Sequence, residues 1–548
     1  MRHFPFAERL QKCGCIVLGT LAYTYDEVVA NVGGVKLVVQ AMEHFPLNES
    51  IQDNACFAIG NLAGNDEVGV SIVKAGGIGF VLHAAKQFPD NVELQVSTCF
   101  AIGGLASTSE VNRVVLAHES ALQVIGDAME QFTSNERLQD NCCFALGSLA
   151  FNDESKREIC EAGGIGWVVK AMEQFPENEQ LLRYGFLMLG NVAAIDDGRV
   201  GVAKAGGVRL IIKTMRAFPS NEPIQRQGCF VLGNLARNDD GNREAIIEAG
   251  GLKMVVDAME QFKLDPELQG SAAWAIANFV SSKNSEEVRL RLSGATGAIV
   301  QAMKAFPTAE EVHRLGCLAL GNLVLMGHHE NEVPGETPAS FIHAMKQVSS
   351  CEEVQDIEYL GPGASDGDVE LVMVSDNGIE LVIAAMRHFP QNGGIQENGC
   401  FALGNFADKN YDNGSFIANA GGIGSLTKAM REFPAHEQIQ RNGCRALGNL
   451  AANNGENVRM VGEAGGIQLA ITALKKFPYS EPVAISVCWA LESLSTTPEN
   501  QIRIKTHGGL KLARKACFAI LTDEGKQRLE ADLATLRSRF IFQQPVSE

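Results

Sequence analysis

The sequence has few of the features that mark secreted, membrane or nucleic-acid-binding proteins. Its 548 residues contain no apolar run of about 18 residues, and the first ten, MRHFPFAERL, lack the apolar segment of a signal peptide. Arg2 rather than glycine follows the initiator methionine, which excludes N-myristoylation. The formal net charge of −19 argues against a general nucleic-acid binder, which would need a basic face. We therefore expect a soluble protein with no membrane span and no nucleic-acid partner.

Signals of catalytic or metal chemistry are also scarce. The 14 cysteines are spread along the whole chain, which indicates a reducing compartment rather than a disulfide scaffold. Neither Cys13-Gly-Cys15 nor Cys142-Cys143 has the paired spacing of a zinc site. No set of Ser, His and Asp and no carboxylate pair can be singled out as a catalytic centre. We predict a cytoplasmic protein without cofactor, metal or enzymatic activity, with cytoskeletal and nuclear locations left open.

Glycine is abundant, and one glycine phrase resembles a phosphate-binding loop. GGIG occurs at residues 76–79, 163–166 and 421–424. No Gly-Lys-Ser/Thr follows it and no strand precedes it, as a phosphate or dinucleotide loop would require. We interpret the phrase as a turn between two helices.

The chain is built from one repeated unit. A phrase close to GCFVLGNLA, residues 228–236, recurs from end to end. A phenylalanine that usually precedes proline recurs from Phe45 to Phe477, mostly at steps of 43 or 44 residues. A Gly-Gly pair recurs in the same register from Gly33 to Gly508. Such a fixed period indicates a repeat architecture rather than several unrelated domains.

One unit has the pattern of three helices. NREAIIEAGG begins at a candidate cap, Asn242, and ends in glycines that close a helix. LKMVVDAMEQF carries apolar residues at helical spacing. SNEPIQRQGCFVLGNLAR opens with Ser220 or Asn221 as cap and Pro223 in the first turn, and ends near Asn238. Three helices in about 43 residues fit the armadillo period, whereas a tetratricopeptide unit has 34 residues and a HEAT unit usually has two helices.

With these motifs the chain resembles the armadillo-repeat family, which includes importin-α and β-catenin. The resemblance covers nearly the whole chain, with a degraded copy around residues 354–364. It implies an all-α protein, a right-handed superhelical α-solenoid of about twelve three-helix repeats whose third helices line a concave groove. Eleven third-helix cores are recognisable, at Cys15, Cys56, Cys99, Cys143, Phe186, Cys229, Ala273, Cys317, Cys400, Cys444 and Cys488. We interpret their cysteines as packing residues.

The resemblance also implies a peptide-binding ladder. In importin-α, asparagine amides on the third helices hydrogen-bond the backbone of an extended peptide, and aromatic rings flank its side chains. Here Asn234 follows Phe230 by four residues, which places both on one helix face. The corresponding asparagines are Asn61, Asn191, Asn234, Asn278, Asn322, Asn405 and Asn449, and the paired aromatic residues are Phe57, Phe230, Trp274 and Phe401.

Other roles for these residues remain open. The asparagines could bond the next repeat's backbone or help to end their helices, and the phenylalanines could simply belong to the core. The ladder is interrupted where its position holds another residue, namely Thr20, Gly104, Ser148 and Ser493. We expect binding to favour the unbroken run from Asn191 to Asn322.

A row of charged residues lies one turn earlier on the same face. Arginine pairs well with carboxylate or phosphate, so this row predicts a protein or peptide partner with acidic residues. The alternative is that these charges are solvated and have no partner. The arginines are Arg183, Arg226, Arg314 and Arg441, and the acidic members of the row are Asp53, Asp140 and Glu397.

The pattern decays in a strongly acidic segment. Eleven acidic residues and one lysine, Lys346, lie between Gly327 and Asp376, and Pro362 stands where the ladder asparagine belongs. We expect a hinge there, although the segment could instead cover the arginine row as a self-ligand. The predicted organisation is an N-terminal stack at 1–326 whose first unit is truncated, a degenerate acidic repeat at 327–376, and C-terminal repeats with capping helices at 377–548.

These observations predict a non-enzymatic protein-protein interaction scaffold that binds an extended or helical partner segment in its groove. The leading alternative is a structural or assembly component, cytoskeletal or ciliary, that docks through its convex face and ends. A nuclear transport adaptor is third, because no Arg-rich N-terminal arm like that of importin-α is visible.

Overall fold

The computed structural model describes residues 1–280, 295–327, 378–452 and 454–519, together with residue 534. Within these residues the regular secondary structure is helical, and no strand occurs among them. Consecutive helices stack as repeats of three. The predicted fold class, an all-α solenoid of three-helix repeats, is confirmed.

The third helices form the backbone of the stack. In the described residues there are eleven, one for each core predicted from the sequence. The first continues through a kink at Tyr25 into the first helix of the next repeat. The third helices are Glu8–Asn31, Glu49–Leu62, Val92–Thr108, Glu136–Leu149, Glu179–Val192, Glu222–Ala236, Pro266–Phe279, Glu310–Gly327, Gly393–Phe406, Glu437–Ala451 and Glu481–Leu494.

First and second helices complete each repeat. The first helices described as separate elements are Asp66–Lys74, Glu110–His118, Asp153–Ala162, Asp196–Lys204, Asp240–Glu248, Tyr411–Asn419, Gly455–Glu463 and Pro498–Thr506. The second helices are Gly34–His44, Gly77–Gln87, Ala121–Gln131, Gly164–Gln174, Gly207–Ala217, Gly251–Gln261, Ala295–Ala305, Gly378–His388, Gly422–Glu432, Gly466–Lys476 and Gly509–Ala519.

Capping side chains set where the helices begin. Asn221 caps its third helix by accepting a hydrogen bond from Ile224 N at 3.2 Å, which confirms one of the two predicted caps. The predicted first-helix cap, Asn242, is wrong. Asp239 is the cap, because its Oδ1 accepts from Asn242 N at 2.9 Å. Asn242 is buried inside the helix, and its Nδ2 donates to Leu235 O at 3.0 Å.

The Gly-Gly pair makes the turn between the first and second helices. Gly76 has φ of +80°, the left-handed conformation that glycine adopts without steric cost. A Cβ on Gly77 would collide with Ile72 of the preceding helix, so the second glycine allows close packing. The interpretation of GGIG as a turn is confirmed.

A buried glutamine fixes the turn between the second and third helices. Gln225 Nε2 donates to Met215 O at 2.7 Å and to Phe218 O at 2.9 Å, which satisfies carbonyl groups at the end of the second helix. The same pair of bonds is made by Gln52, Gln95, Gln139, Gln269, Gln396 and Gln440.

The repeated cysteines lie in the core, as predicted. All nine at the repeat position are buried, and burial raises the pKa of the Cys229 thiol to about 12. Cys142 belongs to a different position, and its Sγ lies 3.4 Å from Cys99 Sγ of the preceding repeat. Among the described residues, no group of three or more His, Cys, Asp or Glu side chains is placed to hold a metal ion.

No single helix in the described ranges has the length and apolar character needed to cross a bilayer. Asp66–Lys74 and Gly77–Gln87 reach that standard only when they are taken together, across a bend of 69°.

The chain divides into two compact units, Met1–Met254 and Val255–Glu548. Within the second unit, helix Glu310–Gly327 packs directly against Gly393–Phe406, where Asn405 Nδ2 donates to Gly321 O at 2.8 Å across 84 residues of sequence. The predicted twelfth repeat therefore does not separate these two third helices. The predicted hinge, or self-ligand, at 327–376 lies almost wholly outside the described residues.

Candidate functional site

A row of large, mostly aromatic side chains, which we call the aromatic row, follows the buried core position of each described third helix. All of them are partly exposed, and Phe230 is 36 % exposed. The row therefore presents apolar surface to water within each unit. Its members are Ile16, Phe57, Phe100, Phe144, Leu187 and Phe230 in the first unit, and Trp274, Leu318, Phe401, Arg445 and Trp489 in the second.

The sequence analysis found only part of this row. Phe57, Phe230, Trp274 and Phe401 were identified because an asparagine follows each by four residues. Phe100, Phe144 and Trp489 were missed because Gly104, Ser148 and Ser493 replace that asparagine. The register relative to the buried cysteine was the signal that could have found them.

The ladder asparagines join adjacent repeats. Asn234 Nδ2 donates to Gly190 O of the preceding third helix at 2.9 Å. Asn278 differs, because its Nδ2 donates to Trp274 O of its own helix at 2.9 Å. The other bonds are Asn61 to Gly19 O at 3.2 Å, Asn191 to Gly147 O at 3.3 Å, Asn322 to Ala277 O at 2.8 Å, Asn405 to Gly321 O at 2.8 Å and Asn449 to Gly404 O at 2.8 Å.

This geometry corresponds to the packing role that the sequence left open, with one difference. The bond runs to the preceding repeat rather than to the next one. A polar amide is tolerated in the apolar phrase because its donor satisfies a backbone carbonyl across the repeat boundary.

The amides are not equally available to a ligand. A side-chain amide nitrogen carries two hydrogens, and the bond between repeats uses one of them. Asn61, Asn191 and Asn322 are partly exposed, so a second N–H and an acceptor oxygen remain on each. Asn405 and Asn449 are buried, and the Oδ1 of each accepts a hydrogen bond from a side chain of the next repeat. In those two pairs the donors are Arg445 for Asn405, and Trp489 Nε1 at 2.8 Å for Asn449.

The glycine before each ladder position admits the neighbouring ring. A Cβ on Gly60 would collide with Phe100, and one on Gly103 would collide with Phe144. A Cβ on Gly190 would lie 3.0 Å from Phe230 Cδ1. In these three pairs the ring of one repeat packs on a glycine of the preceding repeat, and Gly190 also accepts the hydrogen bond from Asn234.

The arginine row is partly neutralised by its own helices. Arg226 Nε lies 3.3 Å from Glu222 Oε1, and Arg314 Nε donates to Glu311 Oε2 at 2.7 Å. Arg441 Nη1 lies 3.4 Å from the side-chain oxygen of Gln438, an uncharged partner. Arg183 is exposed. Among the four arginines of this row, Arg183 and Arg441 therefore have no ion pair with a carboxylate of their own helix in the described part of the chain.

The acidic members of the same row have partners of their own. Burial, and to a smaller extent the nearby Glu136 carboxylate, raise the pKa of Asp140 to about 6, although the hydrogen bond from Gln180 acts in the opposite direction. Asp140 Oδ2 accepts from Gln180 Nε2 at 2.9 Å, while its Oδ1 is buried without a partner in the described structure. Asp53 accepts from Ser97 Oγ at 2.6 Å. The row is therefore mixed in charge, and the preference for an acidic partner stays a prediction.

Comparison with known proteins agrees with the repeat architecture. A family model described as "LRRK2 ARM repeat" matches residues 29–197, 204–360 and 295–420, which is more than half of the chain. No curated protein matches the sequence.

Two solved structures resemble the fold. An engineered protein from the Northeast Structural Genomics Consortium is 21% identical, with a TM-score of 0.60 over 84% of this chain and 99% of its own. A chain from work on a phosphorylation switch in the interaction between cadherin and beta-catenin is 13% identical, with a TM-score of 0.59 over 95% and 96%. These likenesses concern the fold alone. From the stacked three-helix repeats and the family match together, the chain belongs to the armadillo-repeat family.

Proposed function

We propose that this protein is a non-enzymatic interaction scaffold whose third-helix face binds an extended segment of a partner protein. The observation that carries the proposal is the partly exposed aromatic row. Contiguous apolar surface in contact with water is unfavourable, and such patches commonly mark sites that a partner covers. Phe230, at 36 % exposure, is the most exposed of its rings.

The face also offers polar groups that suit an extended main chain. Asn61, Asn191 and Asn322 each present an N–H and an oxygen beside the aromatic row. Packed helices lie roughly 8–10 Å apart, and an extended chain rises about 3.3 Å per residue. About every third residue of the segment would therefore meet a new repeat.

Charge adds a preference to this proposal. Arg183 and Arg441 have no carboxylate partner on their own helices in the described structure, whereas Arg226 and Arg314 do. We place acidic residues of the partner opposite Arg183 and Arg441. The nine buried, free cysteines of the repeat position suit a reducing compartment, so we place the protein in the cytoplasm, with cytoskeletal and nuclear sites as alternatives.

The test is selection of displayed random peptides against the full chain. Affinity of the selected peptides is then measured for Phe230→Ala and for a matched control, Tyr479→Ala, whose side chain is 87% exposed between a second and a third helix. We expect Phe230→Ala to weaken binding about tenfold and Tyr479→Ala to leave it unchanged. Equal affinity for both variants, or no selected peptide at all, would contradict the proposal.

A further inference from the structure

The third-helix face of the first unit contains a cavity of about 260 Å³. Its walls include Ser148, Phe151, Lys156, Asn191 and Phe230. Asn191 is a ladder asparagine and Phe230 belongs to the aromatic row, so the cavity opens within the proposed binding face. None of the residues that the structure describes occupies it.

The cavity lies at an interruption of the asparagine ladder. At this position other repeats have an amide that reaches the preceding third helix, as Asn191 does to Gly147 O at 3.3 Å. Ser148 is shorter and makes no hydrogen bond within the described residues. The walls of the cavity come from this repeat and the two that follow, so the cavity lies beside Ser148 on the side away from the preceding repeat.

The walls combine two rings with a few polar groups. Phe151 is 53% exposed and Phe230 is 36 % exposed, and the Arg113 guanidinium lies 3.8 Å from the centre of the Phe151 ring. Lys156 Nζ pairs with Asp153 Oδ1 at 3.1 Å. This pair offsets part of the lysine charge, and the polar groups that line the cavity beside it, on Ser148 and Asn191, are uncharged.

Size and chemistry together indicate the occupant. A cavity of about 150 Å³ accepts benzene, whereas pockets for drug-sized ligands begin near 300 Å³. One aromatic side chain fits between these limits, and the Ser148 hydroxyl and Asn191 amide offer hydrogen bonds to a phenol. We propose that the cavity is a specificity pocket for one tyrosine side chain of the partner segment. This inference rests on the proposed function of the face.

The test uses a variant that fills the cavity from one of its own walls. Ala194→Phe places a ring in the cavity at the register where the preceding repeat carries Phe151, so the variant is expected to fold. Ser107→Phe, which introduces the same ring at the equivalent position of another repeat in the same unit, is the matched control. Thermal unfolding checks that both variants are folded before any binding is compared.

Peptides selected from a displayed random library against the full chain are the probe. We expect them to share one tyrosine, and we expect its replacement by alanine to weaken binding to the unmodified chain and to Ser107→Phe at least tenfold. For Ala194→Phe the same replacement should have no effect. Peptides that bind without an aromatic residue, that select an acidic residue there, or that keep their tyrosine dependence in Ala194→Phe overturn the pocket and leave the binding face intact. Failure to select any peptide overturns both.

Discussion

Glycine and asparagine in the phrase Leu-Gly-Asn carry out two linked tasks. The glycine leaves room for the ring of the next repeat, and its carbonyl accepts the amide of that same repeat. Gly190 shows both contacts, with Phe230 on its Cα and Asn234 on its oxygen. The sequence predicted the amide and ring positions, but it could not reveal this partner because the contact joins residues 44 apart.

Gly103→Ala tests the contact between glycine and ring. A Cβ there would collide with Phe144, so we expect a loss of about 1–3 kcal/mol in the free energy of unfolding, measured with urea. Gly79→Ala is the control, because Gly79 is an exposed helix residue and no heavy atom lies within 4 Å of its Cβ position. It should gain about 0.5–1 kcal/mol. Equal effects of the two substitutions would refute the contact.

Asp140 gives a pH-dependent prediction. Burial raises its pKa to about 6 in the folded chain, above its ordinary value of 3.8. Between about pH 4 and pH 6 the unfolded chain ionises first, so this residue lowers stability as the pH rises. Asp140→Asn should therefore be more stable than the unmodified chain at pH 7.5 and lose that advantage at pH 4. A difference in unfolding free energy that is equal at both pH values would show that the carboxyl is not desolvated.

At the scale of the helices, periodicity predicted the elements well and their ends less well. The sequence predicted Asn242 as the cap of the first helix, whereas Asp239 is the cap. Both residue types cap helices, and only the folded structure decides between them. The predicted aromatic row was incomplete, because each ring was identified only by an asparagine four residues later. The conformational role of Gly76 followed directly from its place between two helices.

Asn405→Ala tests the bond between neighbouring third helices. Asn405 is 0% exposed and donates to Gly321 O at 2.8 Å, so its truncation removes this buried bond and the one that Arg445 donates to its Oδ1. We expect a cost of about 1–3 kcal/mol in unfolding free energy. The control is Asn141→Ala, whose exposed amide bonds only Arg137 O of its own helix at 2.8 Å. If Asn141→Ala proved as costly as Asn405→Ala, the bond between repeats would have no special weight.

At the scale of the molecule, the acidic segment changes the expected organisation. The sequence predicted a weak repeat between two stacks, because the pattern before and after the segment is intact. In the second unit, however, the third helices on either side of the segment contact each other directly through Asn405 and Gly321. Spacing along the chain could not predict this contact, since the equivalent bonds elsewhere join residues 42–45 apart.

A graft tests this arrangement. Residues 328–377, which separate helix Glu310–Gly327 from Gly378–His388, are replaced by residues 237–250, which carry the first helix Asp240–Glu248 between equivalent elements. Because the flanking third helices already stack, we expect a folded chain whose midpoint of thermal unfolding changes by only a few degrees. An aggregated or partly unfolded product would show that the removed residues are needed for the stack.

The central claim is that the third-helix face receives a partner segment, and site-specific photocrosslinking measures this most directly. Benzoylphenylalanine is placed at Phe144, at Phe230 or, as a control, at Tyr479 of the full chain in native lysate. Positions 144 and 230 are two repeats apart, roughly 16–20 Å. We expect positions 144 and 230 to crosslink to one partner segment, at sites about five or six residues apart in an extended conformation. We expect no crosslink from position 479. Crosslinks from 479 alone, with none from 144 or 230, would contradict it.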